Sequence, residues 1–154
     1  MLPSISKKYF IWFLVLLLLF CFRVAAQLIQ VLYPVDFLPS FEAWHSRTIP
    51  YWLLVIFQFI IILACINVVI RFIRDRVNPN HKRGRIYLGL GFVYFSMMLF
   101  RLVAGLTFVT NHSWFSARIP TFFHLVLASF LLLLGSFHYK YSKLIVINDE
   151  YIEE

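Results

Sequence analysis

Four stretches of this chain are each long enough to cross a bilayer and carry almost no charge: Tyr9–Leu32, Pro50–Ile73, Ile86–Val109 and Ile119–Tyr141. A helix rises about 1.5 Å per residue, so about 20 apolar residues cover a hydrocarbon core of about 30 Å. Inside lipid every backbone N–H and C=O must find its partner within the protein, which leaves only helices or a closed barrel. A barrel strand alternates apolar and polar residues over about 9–11 positions, and the run Phe13–Phe22 does not alternate. The expected fold is all-α: a polytopic, four-transmembrane-helix bundle forming one integral membrane domain over residues 1–154, with loops at 33–49, 74–85 and 110–118 and a tail over 142–154. Composition agrees. Hydrophobic residues make up 62% and charged residues 14%, against about 45–50% and about 25% in soluble domains. That leaves too little polar surface to cover a water-soluble globule.

The loops set an orientation. The link between the second and third spans carries Arg71, Arg74, Arg76, Lys82, Arg83 and Arg85 against one acid, Asp75. The positive-inside rule assigns such a link to the cytoplasm, and Lys7, Lys8, Lys140 and Lys143 assign both termini to the same side. A bacterial inner membrane is the expected location. The net charge of +7 is then topogenic. Its neighbours are expected to be membrane lipids rather than nucleic acid, because the basic residues sit at membrane edges and not on one soluble face. The acidic tail Asn148–Glu154 is expected to fray. A cleavable signal peptide ending at Ala26 is the rival reading of the start. Against it stand Arg23 close to the cut and the apolar run Leu28–Leu32 beyond it.

The chain also reads as two related halves. Phe22-Arg23-Val-Ala-Ala26-Gln-Leu28 matches Phe100-Arg101-Leu-Val-Ala104-Gly-Leu106, and Trp44-His-Ser46-Arg-Thr-Ile49-Pro50 matches Trp114-Phe-Ser116-Ala-Arg-Ile119-Pro120. Tyr9 and Tyr87 fall in the same register. Both first helices would run outward, so the halves are expected to be parallel-repeat helical hairpins about an axis along the membrane normal. Chance matches among abundant Phe and Leu are the alternative; the matched Arg and Trp weigh against it. The stretch Arg101-Leu-Val-Ala-Gly105-Leu-Thr-Phe108 is similar to the Arg-x-x-x-Gly helix of DoxX-type four-span proteins over that short phrase alone, and no function is carried over from it.

Cost identifies the candidate site. An Arg near the bilayer centre costs about 2.5–3.5 kcal/mol on insertion scales. Arg23 lies 14 residues after Tyr9, and Arg101 lies 14 after Tyr87, which sets both roughly 21 Å from the cytoplasmic edge. Gln27 and Gln30 follow Arg23 on one helical stripe, and Ala104 and Gly105 follow Arg101, where small residues admit a close neighbour. Gln58 and His124 come from the returning spans. The expected floor of an outward-facing polar pocket is Arg23, Gln27, Gln58, Arg101 and His124, with Glu42, His45 and His112 at its rim. Pro39-Ser40-Phe41-Glu42 reads as the start of a short interfacial helix.

Two guanidinium groups at one depth suit an anionic or polar amphiphile such as a lipid headgroup, an isoprenoid or a quinone-like ligand. The bland alternative is that the arginines snorkel to lipid phosphates or hold loops down. A structural accessory subunit, packed on a membrane-protein partner or on copies of itself, is a second reading. A redox or metal-dependent enzyme is a third. Haem b requires axial ligands on facing helices, whereas His124 and His138 share the fourth span, 14 residues apart. No H-E-x-x-H spacing, phosphate loop or C-x-x-C appears, and no cofactor is predicted. Asn111-His112-Ser113 forms a glycosylation sequon only formally.

Overall fold

In a computed structural model the described backbone covers residues 2–41, 50–107 and 118–150, with side chains described over 7–41, 50–107 and 118–142. It consists of four helices: α1 (Leu2–Leu32), α2 (Tyr51–Ile73), α3 (His81–Thr107) and α4 (Arg118–Glu150). No strand occurs among the described residues. Each helix holds a segment long and apolar enough to span a membrane: Lys7–Leu32, Tyr51–Ile73, His81–Thr107 and Arg118–Ser142. The chain is a multi-pass membrane protein built as a four-helix bundle.

Helix ends differ from the sequence reading in three places. α1 begins seven residues before Tyr9, and α4 continues past Tyr141 to Glu150, so the tail and the expected fray at Asn148 give way to helix as far as Glu150. Lys and Glu are good helix formers and need not stop a helix where lipid ends. α3 begins at His81 rather than Ile86, which shortens the expected 74–85 link to residues 74–80. Asn80 causes this. Its side-chain oxygen accepts the Arg83 N–H at 3.2 Å and its carbonyl accepts the Gly84 N–H at 2.9 Å, an N-cap that starts the helix at the next residue.

The other end of that link is equally well defined. Arg76 N–H donates to the Arg71 carbonyl at 3.0 Å and Asp75 N–H to the Phe72 carbonyl at 3.4 Å, with Asp75 at φ 48°. This paired bonding with a left-handed residue is a Schellman motif, and Asp tolerates the position that Gly usually takes. The short interfacial helix expected after Pro39 falls almost wholly outside the described residues. Phe41 alone is described as helical, and its ring lies 5.2 Å from that of Tyr51.

α1 and α4 form the centre, with α2 packed on α1 and α3 on α4. The α3–α4 contact rests on absent side chains. A Cβ on Gly84 would meet the Tyr139 nitrogen at 2.5 Å, one on Gly135 the Leu88 nitrogen at 2.6 Å, and one on Gly91 the Leu132 side chain at 3.0 Å. Between helices in lipid, van der Waals packing drives association and small residues let backbones approach. α1, α2 and α4 are joined instead by aromatic packing. Phe13 lies 4.7 Å from both Phe72 and Phe130, ring centroid to centroid, and Phe72 lies 4.7 Å from Phe137. Phe13, Leu17, Cys65, Val69, Phe72, Phe130, Leu134 and Phe137 form one buried cluster toward the end that bears the basic link. Both cysteines are free thiols.

Gly84→Ala and Gly135→Ala should each destabilise the bundle by about 1–3 kcal/mol through overpacking. Gly89→Ala is the internal control, because a Cβ there meets nothing within 4 Å; it should be neutral or stabilising by up to about 1 kcal/mol. Denaturation of the purified variants in micelles measures all three.

Candidate functional site

The half of the bundle remote from the basic link is polar inside. α1 presents Arg23, Gln27 and Gln30 on one face, and these are 5%, 0% and 9% exposed. Gln30 serves the fold: its side-chain oxygen accepts the Val35 N–H at 3.2 Å and ties down the chain just after α1. Gln27 accepts a hydrogen bond from Gln58 Nε2 at 3.1 Å, linking α1 to α2 with both residues buried. Gln27 Nε2 has no hydrogen-bond partner, and neither has Arg23 Nε. The Arg23 guanidinium carbon stands 5.8 Å from the centre of the Phe123 ring, within range of a cation–π contact.

α3 contributes the second arginine. Arg101 is 4% exposed, with Ala104 and Gly105 buried one turn on. Near both arginines stands a pair the sequence reading did not combine. The Tyr94 hydroxyl and His124 Nδ1 are 2.6 Å apart, joining α3 to α4. Both residues lie within electrostatic reach of Arg23 and Arg101. Tyr94 was passed over because one Tyr in an apolar run carries no signal alone. Its position did carry one, since Tyr87, Tyr94 and Arg101 recur every seven residues and therefore share a helix face.

A cavity of about 200 Å³ opens among α1, α2 and α4. Arg23, Gln58 and His124 give it polar groups, and Phe20, Phe57, Ile61, Phe123 and Leu127 give it apolar walls. Leu54 and Pro120 also line it, which sets it near the N-terminal ends of α2 and α4. Of the five expected floor residues, three line the cavity directly. Gln27 reaches it through Gln58, and Arg101 is not among the lining residues but lies within electrostatic reach of the Tyr94–His124 pair. The three expected rim residues, Glu42, His45 and His112, lie outside the described residues. Asp36 is exposed. Among the described residues no three of His, Cys, Asp and Glu cluster as a metal site would require. His138 sits far from His124 on α4, where its Nδ1 accepts the Asn80 N–H at 3.2 Å.

Comparison with known proteins gives no relative: no family model, no curated protein and no solved structure matches this chain.

Removing the Tyr94 hydroxyl tests whether the pair holds α3 to α4. A double-mutant cycle of Tyr94→Phe and His124→Phe, read by denaturation in micelles, should give a coupling of about 0.6 kcal/mol and at most about 1.7 kcal/mol, the mean and upper end for interhelical hydrogen bonds in membranes.

Proposed function

We propose that the protein binds an anionic or polar amphiphile, with its head against Arg23 and Gln58 and its tail leaving between α1, α2 and α4. The observation that carries this reading is Arg23 itself: a side chain 5% exposed that lines a cavity with its Nε unpartnered. Arginine stays protonated in a protein, so burial cannot be relieved by losing the charge. A bound oxyanion supplies both the countercharge and the missing acceptor. The cavity, about 200 Å³, is smaller than the roughly 300–1,000 Å³ of a drug-sized pocket. It suits a headgroup whose chain lies outside along Phe57 and its neighbours. Gln58 orients the head, and Arg101, within electrostatic reach of Tyr94 and His124, adds positive potential.

The side of the membrane is part of the proposal. With the basic link and both termini in the cytoplasm, the cavity faces the outer leaflet of a cell membrane, where an amphiphile can enter laterally. The two hairpins are read as parallel repeats. Support comes from Arg23 and Arg101, which occupy matched sequence positions and are both buried.

Native mass spectrometry of the detergent-purified chain, with lipid extraction, identifies the ligand. Arg23→Leu combined with Arg101→Leu should lower its occupancy at least tenfold while the protein stays helical and monodisperse. Gln58→Leu keeps both charges and should weaken binding about tenfold to a hundredfold, as the loss of one hydrogen bond to an ionised group would. A bound species unchanged in the double variant removes the proposal.

A further inference from the structure

A second cavity, of about 260 Å³, lies at the other end of the bundle, and its chemistry differs from that of the first. Arg71, Arg76, Arg83, Asn78, Tyr87 and His138 supply its polar lining, over a base of Val68, Phe72 and Leu134. Asp75, the only acid of the link, is not part of that lining. The three arginines come from different elements, and the backbone explains why they meet. The Schellman turn that ends α2 bonds the Arg76 N–H to the Arg71 carbonyl at 3.0 Å. The Asn80 cap starts α3 three residues before Arg83 and fixes the first turn there. His138 of α4 holds that cap from behind by accepting the Asn80 N–H.

Two side chains are oriented as donors. The Arg71 Nε–H is used by the Asn67 side-chain oxygen at 3.1 Å, which leaves its two terminal amino groups for a forked contact. A backbone N–H can only donate, so His138 Nδ1 is the accepting nitrogen and the ring proton resides on Nε2. A pocket offering three guanidinium groups, an imidazole N–H and a phenol, with no carboxylate among its described lining residues, matches the three or more acceptor oxygens of a phosphate. Basic pockets between transmembrane helices at the membrane surface are the usual receptors for anionic lipid heads.

We infer that this cavity is a phosphate-recognition site, separate from the amphiphile site near Arg23, which binds a phosphate-bearing group at the mouth between α2, α3 and α4. The group would cross-link α2 to the α3–α4 pair through its oxygens. An anionic phospholipid and a free phosphate share this chemistry, and the test separates them.

The full chain is placed in nanodiscs of phosphatidylcholine alone and of phosphatidylcholine with phosphatidylglycerol; in a third arm it is kept in uncharged detergent and titrated with inorganic phosphate. Two triple variants remove equal charge from the same membrane edge. Arg71→Gln/Arg76→Gln/Arg83→Gln empties the pocket, whereas Arg74→Gln/Lys82→Gln/Arg85→Gln spares it. Retained phosphatidylglycerol, counted by native mass spectrometry, or a raised melting temperature in phosphate should appear with the unaltered chain. Signal in the lipid arm alone identifies a headgroup; signal with inorganic phosphate identifies a free anion as sufficient. The pocket variant should bind about tenfold more weakly or worse, and the sparing variant within about twofold of the unaltered chain; tenfold corresponds to about 1.4 kcal/mol. Equal loss in both triples means a diffuse basic surface and overturns the site, as does binding in none of the three arms. Should the pocket triple lose monodispersity, the single variant Arg76→Gln carries the same comparison against Arg74→Gln. Arg23→Leu should leave this binding intact, which keeps failure here distinct from failure of the amphiphile reading.

Discussion

A guanidinium at hydrocarbon depth is the constraint around which the outer half of this bundle is arranged. Neither Arg23 nor Arg101 can neutralise itself, and both are almost wholly removed from solvent. The bundle answers with whatever polar atoms its neighbours can bring. Gln27 and Gln58 bridge α1 to α2, Tyr94 and His124 bridge α3 to α4, and Phe123 offers its ring face to Arg23. None of these is an anion. For Arg23, whose Nε has no hydrogen-bond partner, the compensation is therefore partial, since a ring contact to a cation falls short of an oxyanion fork. That shortfall makes the cavity beside Arg23 more than a packing defect, because an empty apolar cavity has no comparable demand for an occupant.

The inner half is stabilised differently. There α1, α2 and α4 interlock through Phe13, Phe72, Phe130 and Phe137, in the tilted and edge-on geometries that aromatic quadrupoles favour. Among the described residues α3 adds no buried member to that cluster and meets it only through the half-buried Tyr87. It is held by backbone proximity at Gly84 and Gly91, and against Gly135 of α4. The two hairpins thus use different contacts within one helix layout: the first joins through side chains across a looser gap, and the second through nearly touching backbones. A cavity can open beside the first hairpin more readily than within the second, because large side chains leave irregular gaps that glycine seams do not.

The fold was legible in the sequence because membrane spans are set by length and apolarity, which need no tertiary knowledge. Arg23, Gln27, Gln58 and Arg101 were legible as interior groups for a related reason: a costly side chain in a span has to turn away from lipid. Helix ends were less legible. The first turn of α3 reads as a charged loop, and only Asn80 marks it as helix. The pairs Tyr94–His124 and Asn80–His138 were hidden because a pair across helices depends on which faces meet, and neighbouring residues in one chain do not encode that. The aromatic core was equally hidden, since one Phe among eighteen looks like any other until packing selects it. Glu42, His45 and His112 lie outside the described residues, so the rim of the site remains a reading of sequence alone.

The two cavities lie along the same helices. On α2 the outer one is lined as far as Ile61 and the inner one begins at Val68; on α4 the corresponding residues are Leu127 and Leu134. Seven residues of helix separate them on each, roughly 10 Å of rise. Cys65 and Phe130 occupy that interval and belong to the buried cluster with Phe13 and Leu17. A polar solute passing between the cavities would have to part rings packed at 4.7 Å and leave its hydrogen bonds unmade for that distance, which is costly in a dry interior. The arrangement therefore keeps the two cavities apart, one toward each end of the bundle, rather than joined in a continuous path. It also gives the aromatic layer a role beyond stability, because the layer keeps two positively charged pockets from sharing one hydrated interior.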